Sequence, residues 1–407
     1  MTLTLADVAV LESPERPGWT RLVGRLHSDV DDVSESLWLD VPEGVAEGLQ
    51  ASSDAFLAWL APLAATRRET LQLKAPVDAL LLCRIREVLR IWRIWYPELE
   101  EVPIVAAETV SSDGPPAGRR TASMFTGGVD AFFTVLRHDA GAGTPVTVPI
   151  DDLLYVQGFD VPLQNTAALQ HVQLSLQQAA AALGKRFITV ATNLRETRFG
   201  TTDWPRLSHG AALAGVANAL SGVYATVLLG SSSGYHDLRS WGSHPLTDPL
   251  FSSSRLDIVH DGAAFRRVEK TAYVVQSPIA RRHLRVCWRS SAGDNCGTCS
   301  KCLRSMLALE ALGVLDACSS FDRAALDLER AARIYCGHDF ERRLLGHVRD
   351  LATQSARSDL AAAIDASLSG SRRLAKQLAF VRGLRDRRVI WRWAPAWERW
   401  LLRGWVV

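Results

Sequence analysis

The sequence predicts an α/β protein whose parallel sheet carries a four-cysteine metal knuckle, with a small α+β domain before it and a helical region after it. Strand-like and helix-like segments alternate through the middle of the chain, which is typical of a parallel sheet covered by helices. Four of the seven cysteines lie close together in the sequence. The chain has 407 residues, 47% of them hydrophobic, which is enough for two or three domains. We place these domains at 1–117, 118–312 and 313–407.

The first domain is predicted from short segments of alternating polarity followed by two longer helical segments. β-Branched and apolar residues alternate in the strand-like parts, and apolar residues recur at helical spacing in 76–95. The stretch 111–120 is rich in Gly, Pro and Ser, which indicates a linker. Strands are expected at 2–11, 19–26 and 36–41, and helices at 53–65 and 76–95.

The second domain is predicted to alternate strands with helices, beginning directly after the linker. The lengths of these segments imply helical crossovers between parallel strands. From about residue 303 onward the chain is rich in Ala, Leu and Arg and is expected to be helical. Strands of the second domain are expected at 121–125, 152–156, 187–191 and 225–230, and helices at 129–138, 166–183 and 208–220.

Composition and charge argue against several functional classes. Lys and Arg total 46 against 44 Asp and Glu, a balance that does not favour bulk binding to nucleic acid, so no specific nucleic-acid partner is expected. The start, MTLTLADVAV, lacks the basic and apolar regions of a secretory signal. The stretch 389–407 is interrupted by Arg392, Pro395 and Glu398 and cannot span a bilayer. We therefore expect a cytoplasmic protein without a transmembrane span.

A glycine turn lies where the first strand of the second domain meets its first helix. Glycines at such a junction permit positive φ angles and leave backbone N–H groups uncovered, which makes an anion pocket at a helix N-terminus suited to phosphate. Thr126 adds a hydroxyl donor, and Asp130 in the first helical turn can support a magnesium ion. The residues expected to contact the nucleotide here are Phe125, Thr126, Gly127, Gly128, Val129, Asp130 and Ala131.

The clustered cysteines have the spacing of a metal site. Cys287, Cys296, Cys299 and Cys302 supply four thiolates close enough in sequence to close on one tetrahedral ion, and Gly297 permits a sharp turn between them. Four sulfur ligands leave no open position, so a structural zinc ion is predicted rather than a catalytic one. An iron–sulfur cluster is the main alternative, and unconnected free thiols are the other.

The glycine turn resembles the signature Ser-Gly-Gly-x-Asp-Ser of the PP-loop ATP pyrophosphatases, which have an α/β fold of the HUP class. Thr126 replaces the first Ser of that signature and keeps its hydroxyl, whereas Ala131 replaces the last Ser and removes a donor. A PP-loop followed by four cysteines at this spacing is similar to the 7-cyano-7-deazaguanine synthase (QueC) family. The resemblance covers about 121–312, under half the chain, and implies that the cysteines match that family's zinc ligands.

The resemblance implies the chemistry. Members of that family use ATP to adenylate a deazaguanine carboxylate, capture it with ammonia as an amide and dehydrate the amide to a nitrile. We therefore expect an ATP-, Mg²⁺- and Zn²⁺-dependent ligase that joins a small carboxylate to a nitrogen nucleophile, with a peptide or protein amine as another acceptor. Because Ala131 departs from the signature, a catalytically weakened ATP- or AMP-binding module is the alternative. A PP-loop enzyme acting on RNA or in sulfur transfer is a further one.

Polar residues gather where the predicted strands end, and ligands of open parallel sheets bind at that edge. Arg267 and Lys270 are expected to act in catalysis with Asp130 by neutralising charge on the phosphates, although a solvated helix face is the alternative for them. His209 and His244 are either nucleotide contacts or ordinary structural histidines. The remaining residues expected to contact the nucleotide are Thr192, Asn193, Arg195, Ser231, Ser232 and Asp248.

The end of the chain mixes arginine with tryptophan. Residues 371–407 contain ten basic and two acidic residues, and five tryptophans lie between 391 and 405. Such a segment can lie at a membrane interface, stack on single-stranded nucleic acid or dock on a partner. The sequence favours packing against the chain's own core or against a partner, including a second copy in a homodimer.

Overall fold

The computed structural model describes residues 1–112, 114, 118–141, 148–386 and 394–406. Parts of two predicted features, the linker 111–120 and the tryptophan-rich tail with Trp391 and Trp393, lie outside the described residues. Among the described helices, none combines the length and the apolar character needed to cross a membrane.

Twelve strands are present in the described residues, and they form one large sheet and one small one. They are β1 (Thr2–Glu12), β2 (Trp19–Ser28), β3 (Val33–Pro42), β4 (Thr70–Leu73), β5 (Val77–Asp78), β6 (Ile104–Ala106), β7 (Thr109–Val110), β8 (Arg120–Met124), β9 (Asp152–Gln157), β10 (Arg186–Thr192), β11 (Tyr224–Gly230) and β12 (Asp257–Asp261).

The α-helices are interleaved with the strands in the first part of the chain and follow one another in the second. They are α1 (Glu43–Ala46), α2 (Asp54–Arg67), α3 (Ala79–Trp95), α4 (Val129–Asp139), α5 (Thr166–Ala182), α6 (His209–Ala219), α7 (Arg267–Val274), α8 (Pro278–His283), α9 (Ser300–Ala311), α10 (Leu328–Ala331), α11 (Asp339–Gln354), α12 (Ser358–Asp386) and α13 (Ala394–Leu402).

The large sheet has ten strands in the order β12-β11-β8-β9-β10-β3-β2-β1-β4-β6. From β12 to β10 every neighbouring pair is parallel, as predicted for the second domain. The next three pairs, from β10 to β1, are antiparallel, and β4 and β6 continue parallel to β1. The protein is therefore α/β with a mostly parallel central sheet, and the predicted strands and helices up to residue 230 are confirmed within a few residues.

The chain forms two compact units, and they differ from the predicted domains. The first unit comprises Met1–Thr126 with Asp130–Phe265, and the second comprises Gly127–Val129 with Arg266–Val407. The boundary predicted at residue 118 does not separate compact units, because β3 pairs with β10 and continues the same sheet. The boundary predicted at residue 313 also lies inside a unit, since the helical region shares the second unit with the four cysteines.

One continuous core explains why residues 1–117 do not stand apart. Helix α2 is buried over its whole middle, from Ala55 to Ala65, and packs against α6. The indole N–H of Trp59 donates to the carbonyl of Ala212 at 3.0 Å. At Gly215 a Cβ atom would lie 2.1 Å from the indole nitrogen of Trp59, so the approach of the two helices depends on a glycine.

The second unit is helical and has its own core. Leucine and isoleucine side chains of α9, α11 and α12 contribute to it, and α11 packs along both of the other helices. The helical C-terminal region predicted from composition is present in the described residues.

A buried carboxylate links four neighbouring strands at the start of the parallel region. Asp152 is fully buried and accepts hydrogen bonds from Arg120 on β8 at 2.6 Å, from Arg186 on β10 and from Tyr224 on β11 at 2.8 Å. Burial alone would raise the pKa of Asp152, but the hydrogen bonds from Arg186, Arg120 and Tyr224 outweigh it and lower the pKa below its ordinary value.

Replacing this carboxylate should destabilise the first unit. We expect Asp152→Asn to lower the free energy of unfolding by about 2–3 kcal/mol, less than for a wholly buried pair because both arginines are partly exposed. The contribution of Asp152 is complete above the pKa of the unfolded chain and is lost as the pH falls through the lowered pKa of the folded state.

Urea unfolding at neutral and acidic pH measures this difference. Asp257, an exposed residue at the start of β12, offers the matched control, and Asp257→Asn should change the unfolding free energy by less than about 0.5 kcal/mol. Equal effects of the two substitutions at neutral pH would contradict the role given to Asp152.

Candidate functional site

The glycine turn begins at the carboxyl end of β8. The N–H of Phe125 donates to the carbonyl of Leu154 at 2.8 Å, which keeps the chain in register with β9 up to the turn. Gly127 has a φ of +74°, a conformation that strains any other residue. Helix α4 begins two residues later at Val129, so the turn leads directly into a helix N-terminus, where backbone N–H groups have no partner inside the helix.

The strand order places this turn at the strand from which successive strands are added in opposite directions across the sheet. From β8 the chain adds β9 and β10 on one side, and it then returns to add β11 and β12 on the other side. The crevice between β8 and β11 is therefore a topological switch point, the position at which open α/β sheets bind ligands. The loops that follow β8 and β11 at their carboxyl ends flank this crevice.

The end of β11 lies tightly against the start of α4. A Cβ atom at Gly230 would be 3.0 Å from both the carbonyl carbon and the oxygen of Asp130, so a larger residue would push the two apart. Ser231, which follows, is buried and donates its N–H to the carbonyl of Asp261 at 2.7 Å. Sequence reasoning did not single out Gly230, because its importance depends on a neighbour that is distant along the chain.

Helix α4 is fixed by a buried carboxylate at the end of β12. Asp261 accepts from the hydroxyl of Thr134 at 2.8 Å and from the guanidinium of Arg137 at 2.6 Å, and the His138 ring lies 3.0 Å away. Burial would raise the pKa of Asp261, yet the bonds from His138 and Arg137 lower it. The sequence prediction contained neither β12 nor this cluster.

Two residues predicted to contact the nucleotide, Thr192 and Asn193, form hydrogen bonds with β3. The Thr192 hydroxyl donates to the carbonyl of Trp38 at 2.6 Å, and the Asn193 amide accepts from the N–H of Trp38 at 2.9 Å and donates to the carbonyl of Ser36 at 2.8 Å. These bonds attach β3 to the end of β10. The two side chains are engaged within the protein because β3 occupies the strand edge that the sequence prediction left open.

Arg195 and His209 lie on a shared aromatic surface of the first unit. The Arg195 guanidinium is 4.4 Å from the ring centroid of Trp204 and donates to the carbonyl of Phe159 at 2.6 Å. His209 lies between Trp204 and Trp241, with ring centroids 6.1 and 6.2 Å away, and burial lowers its pKa. The imidazole is therefore neutral near pH 7.

The loop with His244 and Asp248 is held by its own hydrogen bonds. Asp248 is fully buried and accepts from the Ser243 hydroxyl at 2.6 Å, from the His244 N–H at 3.0 Å and from His260 Nδ1 at 2.7 Å. His244 in turn accepts from the N–H of Leu246, and burial together with His260 lowers the pKa of His244. His244 and Asp248 therefore both stabilise the loop.

Ser232, which lies two residues after the end of β11 and was also predicted to contact the nucleotide, is half-buried.

The second unit contains the predicted cationic residues of α7. Lys270 is 1% exposed, which excludes a solvated helix face for this residue. Helix α7 packs against α9 and α11. The charge of Arg267 on α7 acts on the guanidinium of Arg304 on α9. Burial lowers the pKa of Arg304, whereas Cys336 and Glu341 oppose that shift. Arg267 and Cys299 contribute less, in opposite directions. Gly127–Val129 belong to this same unit.

The four cysteines lie together in a cluster that could hold a metal ion. All four sulfur atoms lie within 4.8 Å of one another, with Cys287 to Cys299 at 4.0 Å and Cys296 to Cys302 at 3.9 Å. Four thiolates around one tetrahedral zinc, with Zn–S bonds of about 2.3 Å, are separated by about 3.8 Å. The cluster can therefore hold a single metal ion such as zinc. An iron–sulfur cluster would need to lie between the sulfurs and separate them further.

Backbone geometry supports the thiolate form of these ligands. The N–H groups of Arg289, Cys299 and Cys302 each point to a cysteine sulfur at 3.4 Å. Gly297 has a φ of +69°, and a Cβ atom there would lie 2.7 Å from the Cβ of Ala325. The turn between the ligands therefore requires glycine on two grounds.

The stretch of chain that leads into Cys287 also bonds the glycine turn. The N–H of Arg285 donates to the carbonyl of Gly127 at 2.8 Å. Asn295 holds this stretch, since its side chain accepts from the N–H of Cys287 at 3.2 Å and donates to the carbonyl of Leu284 at 2.8 Å. Sequence reasoning missed Arg285 and Asn295, although the position of Asn295 directly before Cys296 was a local signal for them.

Comparisons with known protein families, with curated proteins and with solved structures find no match to this chain.

The two requirements at Gly297 can be separated by comparison with another glycine. Gly313 has the same φ of +69°, but a Cβ atom there would have no neighbour within 4 Å, so Gly313→Ala adds only backbone strain of about 1 kcal/mol. Gly297→Ala adds the same strain and a clash with Ala325. We expect Gly297→Ala to weaken zinc binding at least about tenfold, and Gly313→Ala to leave zinc binding unchanged.

Competition with a chromophoric chelator, with metal content measured by mass spectrometry, checks this expectation. A purified Gly297→Ala protein with unchanged zinc affinity would contradict the requirement for glycine at this turn. A wild-type protein that binds no zinc would contradict the assignment of the cluster as a metal site.

Proposed function

We propose that this protein is an ATP-dependent ligase of the PP-loop type, which adenylates a carboxylate, releases pyrophosphate and passes the acyl group to a nitrogen nucleophile. The observation that carries the proposal is the position of the glycine turn. It follows the central strand β8 at the switch point of the sheet and leads into the N-terminus of α4. Such a position presents backbone N–H groups to an anion.

In this proposal the turn binds the pyrophosphate that is released when ATP is cleaved between its α and β phosphates. The N–H groups between Thr126 and Val129 hold its oxygens, and they need no reorganisation because Gly127 is already in its positive-φ conformation. Asp130 in the first turn of α4 supports the magnesium ion. Arg267 and Lys270, in the same compact unit as Gly127, neutralise the charge that develops on the phosphates.

Zinc has a structural role in this proposal. Four sulfur ligands leave no position for water or substrate, so the ion supplies folding energy and no Lewis-acid chemistry. Its contribution to function is to fix the stretch from Leu284 to Cys287, from which Arg285 reaches the carbonyl of Gly127.

The carboxylate follows from the resemblance to 7-cyano-7-deazaguanine synthases, which makes a deazaguanine-type acid the first substrate to test. The nitrogen nucleophile is ammonia or the amine of a peptide or protein, and the product is an amide, a nitrile or a conjugate accordingly. Each of these products requires the same first step, the transfer of AMP to the carboxylate, so that step is the one to test first.

Isothermal titration with ATP and Mg²⁺ tests the turn directly. We expect the wild-type protein to bind ATP and Gly127→Ala to bind it at least about tenfold more weakly, because the strain of a side chain at φ +74° costs about 1–3 kcal/mol. Gly18 is the matched control. It has a φ of +77° in open space, so Gly18→Ala carries the same strain with unchanged ATP affinity. A wild-type protein that does not bind ATP would falsify the proposal.

A catalytically weakened ATP- or AMP-binding module is the second candidate, and Ala131 favours it. This residue occupies the place of a signature serine and is only 7% exposed in the first turn of α4, so the donor that serine would supply is missing. If the protein is a ligase, the wild type releases AMP and pyrophosphate in the presence of its acceptor.

Ala131→Ser separates the two candidates. A binding module should bind ATP without turnover and gain measurable pyrophosphate release only when the hydroxyl is restored. A ligase should turn over before the substitution and change by less than about tenfold after it. Release of radiolabelled pyrophosphate from ATP, measured for both proteins with the same set of carboxylates and amines, gives the result.

A further inference from the structure

The last two helices expose an apolar face. Phe380 on α12 is 68% exposed, and Trp397 and Trp400 on α13 are 47% and 70% exposed. Together with neighbouring residues these three line an open groove of about 910 Å³ between the helices. The lining residues are Lys376, Gln377, Phe380, Val381, Ala396, Trp397, Trp400 and Leu401.

This exposure is not the result of a loosely attached helix. After α13 the chain folds back, and Val406 pairs with Ile334 as an isolated β-bridge. Trp405 packs so closely over Gly370 that a Cβ atom there would lie 2.5 Å from its ring, and Tyr335 meets the same ring edge to face. The end of the chain thus packs on the second unit through Trp405, as the sequence favoured, while Trp397 and Trp400 remain exposed.

Basic residues are frequent in the same part of the chain as the exposed aromatic side chains, and one of them, Lys376, lines the groove. The chain carries ten Arg and Lys against two acidic residues from 371 to 407. Arg382 and Glu398 lie 3.4 Å apart across the two helices, which places one of the two carboxylates in an ion pair. Five further cationic side chains on the described parts of this region are exposed, namely Arg372, Arg373, Lys376, Arg399 and Arg403.

This charge decides between two occupants of the apolar face. In a two-fold dimer the same patch lies on both sides of the interface, so a second copy of the chain would bring the cations against themselves. A surface of anionic lipid headgroups is complementary to them. Aromatic rings with arginine and lysine nearby are also the combination that proteins use at the boundary between headgroups and acyl chains.

We propose that the α12–α13 face binds the surface of an anionic lipid bilayer. Phe380, Trp397 and Trp400 enter the interfacial region, and the exposed arginines and Lys376 contact the headgroups. The proposal is independent of the nucleotide chemistry, because it rests only on the exposure, charge and packing of these two helices.

Cosedimentation of the full-length protein with vesicles tests it without any substitution. We expect binding to vesicles of phosphatidylcholine mixed with phosphatidylglycerol, little binding to phosphatidylcholine alone, and weakening of the binding as salt is raised. Binding to neither kind of vesicle, or equal binding to both, would overturn the proposal.

A matched pair of triple variants tests the role of the face. Phe380→Ser, Trp397→Ser and Trp400→Ser together should lower the partition coefficient on the order of 100-fold, because three buried aromatic contacts are lost. The control replaces three exposed apolar residues elsewhere by serine, Ile94, Val105 and Leu174, and should bind as the wild type does.

The other occupants predict different results. Light scattering that shows a wild-type dimer, a monomeric triple variant and no lipid binding would assign the face to a second copy. Tighter binding of single-stranded DNA than of anionic vesicles, lost in the same variant, would assign it to nucleic acid. Either result overturns the lipid proposal.

Discussion

At the end of β12 the carboxylate of Asp261 accepts hydrogen bonds from Thr134 and Arg137 of α4, with the ring of His138 also within hydrogen-bond distance. A helix N-terminus can serve an anion only if its N–H groups keep their direction, and this buried cluster fixes the helix that carries them. The cluster is satisfied on several sides, which is the condition under which a charge can be buried at all. The same helix is approached closely by Gly230 at the end of β11, and the N–H of the next residue, Ser231, donates to the carbonyl of Asp261.

Features that depend on residues close together along the chain were predictable from the sequence. The strands and helices between 121 and 230 follow from local periodicity, and the metal cluster follows from three spacings within one short stretch. The pairing of β3 with β10 was not predictable in the same way, because nothing in either segment specifies its partner. The compact units therefore do not divide at residue 117, and the hydrogen bonds of Thr192 and Asn193 to β3 were missed for the same reason.

The composition of the C-terminal segment predicts its type of surface but not the packing of its individual rings. A high content of tryptophan and arginine indicates a surface with both apolar and charged partners, but it does not say which ring faces the core. Trp405 packs against Gly370 and Tyr335, whereas Trp397 and Trp400, a few residues earlier, are exposed. Residues of one type within one short segment therefore have opposite roles, and only their packing distinguishes them.

The hydrogen bond from Arg285 to Gly127 has a consequence for how this chain can vary. The donor is the backbone N–H of residue 285, two positions before the sulfur ligand Cys287. Among substitutions at residue 285, only proline removes this N–H group. Preservation of the four sulfurs together with Asn295, whose side chain bonds Cys287 and Leu284, should therefore keep this donor in place whichever side chain residue 285 carries. Oxidation of the thiolates would act on the same stretch without any mutation, since Cys287 lies two residues after this donor.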